Sequence, residues 1–103
     1  MDLEAVRQRI NELKDRDMVV RQRAVDGLIA LNADTPEVVS ALRAALRDTS
    51  SGVRRRAAQA LGKLGPAGLP AEAELTEAMR DRVHTVRDAA REALAAIRSG
   101  GSR

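Results

Sequence analysis

The chain has 103 residues and a mass of 11.1 kDa, 44% hydrophobic and 32% charged, which excludes a chain disordered as a whole and leaves a single domain with one modest core. Cys, Phe, Tyr and Trp are absent, so disulfides, thiolate metal sites and aromatic base-stacking platforms are excluded. The formal charge is +3; no apolar run approaches the roughly 20 residues of a membrane-spanning helix, and the opening Met1-Asp2-Leu3-Glu4 carries acid where a signal peptide carries base, so a cytoplasmic protein is expected.

In chain order, the first predicted helix runs from Leu3 to about Lys14 with an apolar stripe of Leu3, Val6, Ile10 and Leu13. Asp17 is positioned to cap a second helix whose buried face is Val20, Ala24, Gly27, Leu28 and Leu31, ending at the stop signal Asn32. Thr35-Pro36 reads as an N-cap followed by proline at the first helical position, opening a third helix to about Arg47 with Val39, Leu42 and Leu46 inward. Ser50 caps a fourth, with Val53, Ala57, Ala60, Leu61 and Leu64 on one face and Gly65-Pro66 as its stop. A fifth is expected from Pro70 to about Arg80 with Leu75, Ala78 and Met79 inward, and a sixth presents Val86, Ala90, Ala93, Leu94 and Ile97. Val83 stands where that sixth helix needs a capping side chain and has none, so fraying is expected there; residues 99–103 are expected to form a disordered tail.

These six helices are three copies of one hairpin. A shift of 33 residues, applied twice, superposes Asp15, Asp48 and Asp81; Val20, Val53 and Val86; Arg21, Arg54 and Arg87; Ala24, Ala57 and Ala90; and Leu28, Leu61 and Leu94. The copies span about residues 1–33, 34–66 and 67–98 of one domain, 1–98. Their shared stripe is large at its ends and small in its middle, which lets neighbouring helices approach closely without aromatic rings.

The middle copy reads Leu46-Arg47-Asp48, Val53-Arg54, Ala57-Ala58 and Leu61-Gly62-Lys63-Leu64-Gly65. That pattern resembles a HEAT repeat, of the short type also found in phycobilin lyases, and the resemblance covers residues 3–98. It departs from the family where Met18, Ser51 and His84 replace the proline common at the start of the second helix. The resemblance implies an all-α solenoid of three HEAT-like hairpins coiled into a right-handed superhelix, with the second helices lining its concave side. It also implies a structural ladder of Asp15, Asp48 and Asp81 with Arg21, Arg54 and Arg87, each Arg pairing with the Asp of its own or the neighbouring repeat and holding the repeats in register.

Catalytic chemistry finds no constellation to support it. His84 is the one histidine, the acids are scattered, and Gly62, Gly65 and Gly68 lack the Lys-Ser/Thr ending of a phosphate cradle and read as helix terminators. No enzyme, cofactor or metal is therefore expected. Binding is left to the positions that the copies do not share. Helical projection places columns 22/55/88, 26/59/92 and 29/62/95 away from the core, with 23/56/89 and 25/58/91 at the sides.

Residues 1–33 and 67–103 are each neutral, so the whole charge of +3 falls in the middle copy, focused at Arg54-Arg55-Arg56 and Lys63. Gln22, Arg23, Arg55, Arg56, Gln59 and Lys63 are the expected partner-binding residues. The expected partner is another protein, with an acidic segment as one form of it; a phosphate backbone is disfavoured because the basic stretch is short. Val19, Val25 and Ile29 are expected to widen an apolar outer surface on the first copy, and Leu3, Val6 and Ile10 with Leu75, Met79 and Ile97 to leave greasy open ends. Self-association through those ends is the alternative function, ahead of nucleic-acid binding or a lyase-type cofactor chaperone.

Overall fold

The computed structural model describes residues 2–100. It contains α1 (Leu3–Glu12), α2 (Met18–Ala30), α3 (Pro36–Ala45), α4 (Ser51–Lys63), α5 (Glu72–Ala78) and α6 (His84–Ser99), with a 3-10 helix at Gly65–Ala71 and no strand among the described residues. Local chemistry sets the starts. The Asp2 carboxylate accepts from the backbone N–H groups of Glu4 and Ala5, Asp17 from Val19, Thr35 from Val38 and Ser50 from Val53. No side chain caps α6, which nevertheless begins at His84, with the Val86 and Arg87 N–H groups donating to the Val83 carbonyl.

The ends follow the repeat as well. Asn32 and Gly65, equivalent by the 33-residue shift, both adopt the left-handed conformation, φ 52° and 59°. That residue reverses the chain after α2 and α4. Arg98 holds the equivalent place in the third copy, and α6 simply runs on to Ser99. The tail expected from residue 99 thus has Ser99 inside the helix and Gly100 as its cap, and residues 101–103 lie outside the described residues.

The fifth helix is shorter than its sequence suggests. Pro66 and Pro70 have no N–H to donate, and the Pro70 ring would collide with the carbonyl four residues back in an α-helix. The chain therefore winds as a 3-10 helix through Pro70, and α5 starts at Glu72. This segment buries Gly68 and Ala71 against the body of the protein. Gly68 is a packing residue rather than a helix terminator, since a Cβ there would lie 2.7 Å from the Leu61 carbonyl oxygen and 3.0 Å from Ile97 Cδ1.

The second helices carry the packing. α2 lies along α4 and α4 along α6, whereas α1 only touches α3. α2, α4 and α6 thus form the more extensively packed row of the stack, taken as its inner row. The core is wholly aliphatic: Leu28, Leu42, Leu61 and Leu75 with Val25, Val38, Val53 and Val86 are its largest fully buried side chains. Where α4 meets α6, a Cβ on Gly62 would stand 3.0 Å from Ala93 Cα, so two small residues set the helix separation.

Burial corrects six surface expectations, among them Ile10, which packs on the core. Val25 is fully buried and Ile29 packs on the core, because column 25/58 faces the next repeat's second helix and not solvent. Val6, Leu75 and Ile97 are buried too. Among the described residues the large apolar side chains left exposed are Leu3, Met18, Val19, Leu69 and Met79.

Candidate partner-binding face

Each interhelical turn is built alike. The chain tightens after the first helix through i to i−3 hydrogen bonds, which end with Asp15 N–H donating to Glu12, Asp48 N–H to Ala45 and Asp81 N–H to Ala78. The aspartate so delivered accepts through Oδ1 from the N–H two residues on: Asp17, Ser50 and Val83 respectively.

The arginine six residues later then clamps two turns at once. Arg21 donates through Nη1 to the carbonyl of Asp15 in its own turn, at 2.8 Å, and through Nε and Nη2 to the Asp48 carboxylate at 2.9 and 3.1 Å. Arg54 repeats this on the Asp48 carbonyl at 2.9 Å and the Asp81 carboxylate at 2.8 and 3.1 Å. Both pairs are mostly buried, with side-chain exposures of 11–14%. Hydrogen bonding from Arg54 holds the Asp81 carboxyl below its ordinary range. At the last turn, among the described residues, Arg87 makes only the Nη1 bond to the Asp81 carbonyl, at 2.7 Å.

The basic middle copy is for the most part neutralised by its neighbours. Arg43 pairs with Glu74 at 2.7 Å, Arg47 with Glu77 at 3.2 Å, Arg54 with Asp81 at 2.8 Å and Arg56 with Asp26 at 3.4 Å. Its charge excess therefore ties the middle hairpin to both flanking ones. Sequence reasoning missed the Arg43–Glu74 pair altogether, because it lies off the shared columns; the hydrogen bond from Arg43 keeps the Glu74 carboxyl below its usual range.

The six expected partner residues consequently divide. Arg56 is half-buried in its pair with Asp26, and Gln22 is half-buried with its side-chain amide against Gly52 of α4. Arg23 is exposed on the outer flank of α2. Arg55 is half-buried and, like Lys63, makes no ion pair among the described residues. Gln59 and Lys63 are exposed on the inner row, in register with Asp26 and Glu92 and with Ala30 and Ala96.

Two hollows meet at Lys63. One, of about 470 Å³, runs between α4 and α6 with Gln59 and Glu92 on its walls and Gly62, Ala89, Ala93 and Ala96 as its floor. The other, of about 220 Å³, opens between the first two repeats, lined by Leu28, Ile29, Leu42, Ala60 and Leu64 with Asp34 at its edge. Small residues make the first hollow, and the second combines leucine and isoleucine walls with the polar Asn32 and Asp34, so the face offers side-chain pockets with Lys63, unpaired among the described residues, between them. Among the described residues no group of three or more His, Cys, Asp or Glu is placed to hold a metal, and no helix is long and apolar enough to cross a membrane.

Stacked helical hairpins that register through a repeated Arg–Asp clamp, with an inner row of second helices, define an α-helical repeat protein. The family model for HEAT repeats matches residues 6–95, and the chain belongs to that family, whose members generally mediate protein interactions. No curated protein matches the chain.

Proposed function

We propose that the protein is a non-catalytic scaffold that takes a segment of a partner protein along the inner row of second helices, centred on Gln59 and Lys63. The observation that supports this reading most is the position of Lys63, an exposed cation without an ion pair among the described residues, lining both hollows. A partner segment with an acidic residue flanked by apolar or small side chains matches that arrangement: the carboxylate meets Lys63 and the neighbours enter the hollows. Arg55 adds positive potential nearby, whereas Arg56 is occupied by Asp26. The phycobilin-lyase type remains an inference from the form of the repeat and carries no activity with it.

Affinity capture from the native lysate tests the reading, with wild-type protein beside a Gln59→Lys/Lys63→Glu variant. Both residues are exposed, so the helical circular dichroism is expected to stay unchanged while the captured partner is lost. An identical set of captured proteins with both baits removes the inner row as the site.

A further inference from the structure

The clamp that joins the repeats is unfinished at both ends, and the two loose ends are complementary. Among the described residues Asp15 receives no arginine, and its carboxylate accepts from the N–H of Asp17. Arg87 has used Nη1 on the Asp81 carbonyl, and among the described residues its Nε and Nη2 have no carboxylate. In the internal joints that same fork holds Asp48 and Asp81 bidentately. A second set of residues is complementary in the same register. Arg56 reaches back to Asp26 of the preceding repeat. Carried along the chain by the 33-residue shift, those two positions become Arg23 of a first repeat and Glu92 of a third. Arg23 and Glu92 are both exposed, and neither makes an ion pair among the described residues.

The geometry points to a head-to-tail interface between copies of this chain, in which the first repeat of one copy stacks on the third repeat of another, pairing Arg87 with Asp15 and Glu92 with Arg23. One application of the operation that already relates the internal repeats forms both pairs together. Such an interface is heterologous, so it propagates rather than closing on itself. Met18 and Val19 stand exposed at the same end of the first repeat. On the opposing face Asp88 and Arg91, paired with each other at 3.1 Å, take the places held in the inner joints by the half-buried Gln22 and buried Val25, or the half-buried Arg55 and buried Ala58. Apolar burial is therefore smaller than in the internal joints and charge carries more of the contact, which makes the association salt-sensitive. It uses neither Lys63 nor Gln59, and although Glu92 also lines the inner-face hollow, self-association of the purified chain is read without any partner segment, so the two readings fail separately.

Sedimentation equilibrium of the whole chain tests it. At low ionic strength the weight-average mass is expected to climb from 11.1 kDa with concentration and to return to the monomer value in molar salt. Glu92→Arg alone, and Arg23→Glu alone, each weaken association about tenfold or more by turning one pair repulsive. An equimolar mixture of the two variants is expected to recover mixed association, because the intact Glu92 of the Arg23→Glu copy meets the intact Arg23 of the Glu92→Arg copy, and the two reversed side chains also carry opposite charges. The same crossover with Arg87→Asp and Asp15→Arg examines the other pair, with circular dichroism confirming that each variant is folded. A mass of one chain at every concentration in low salt overturns the proposal, and so does association that is indifferent to the reversals or not recovered on mixing.

Discussion

Arg21 holds Asp48 across 27 residues of chain with two nitrogens, Nε at 2.9 Å and Nη2 at 3.1 Å, while its third, Nη1, stays on the backbone of its own repeat. One side chain thus fixes both the shape of a turn and its distance from the next. Asp48→Ala removes the carboxylate from a mostly buried guanidinium and also frees the Ser50 N–H. It is expected to cost about 2–4 kcal/mol. Asp15→Ala, at the open end of the same ladder, is expected to cost less than about 1 kcal/mol beyond its local turn. Urea unfolding of the two variants measures the difference, and equal losses contradict the clamp.

Acid stability reports on two of the inter-repeat pairs. Asp81 and Glu74 have carboxyl groups held below their ordinary values of 3.8 and 4.5 by hydrogen bonds from Arg54 and Arg43. A carboxylate with a depressed folded-state pKa contributes stability above its unfolded value and loses it as pH falls through the folded value. The melting temperature is therefore expected to be level near neutrality and to drop below about pH 4.5. Asp81→Asn and Glu74→Gln should each be less stable at pH 7 and show a shallower fall in acid.

Two valines six residues apart separate the joint from the surface. Val25 is fully buried against the second repeat, and Val19 is 41% exposed. Val25→Ala is expected to lose about 1–2 kcal/mol, and Val19→Ala to lie within about 0.5 kcal/mol of the parent. Thermal denaturation distinguishes them.

Glycine serves two different ends here. Gly65 sits at φ 59° with no atom within 4 Å of a built Cβ, so Gly65→Ala is expected to cost about 1 kcal/mol from backbone strain alone. Gly65→Asn should recover part of that, as Asn32 already occupies the equivalent place at φ 52°. Gly62 fails for another reason. Gly62→Leu drives a side chain into the backbone of Ala93, and a loss of about 2–3 kcal/mol is expected on chemical unfolding.

The sequence by itself determined the number of hairpins, the caps at Asp17, Thr35 and Ser50, and the stops at Asn32 and Gly65. Helical periodicity, capping and the left-handed turn act within one or two turns of chain, so residue type and spacing specify them. The late start of α5 was legible in principle from Pro66 and Pro70, which act just as locally. What faces the neighbouring repeat could not be read in that way. Projection onto a lone helix leaves Val25 and Ala58 at the side, and only the stacking of α2 on α4 and α4 on α6 encloses them. The same stacking chose among the cations of the middle repeat. It gave Arg54 to Asp81 and Arg56 to Asp26, and left Arg55 and Lys63 without a partner among the described residues. Tertiary structure decided these because a salt bridge between repeats depends on the rotation and translation from one hairpin to the next, a relation set by how closely Gly62 and Ala93 let their helices approach.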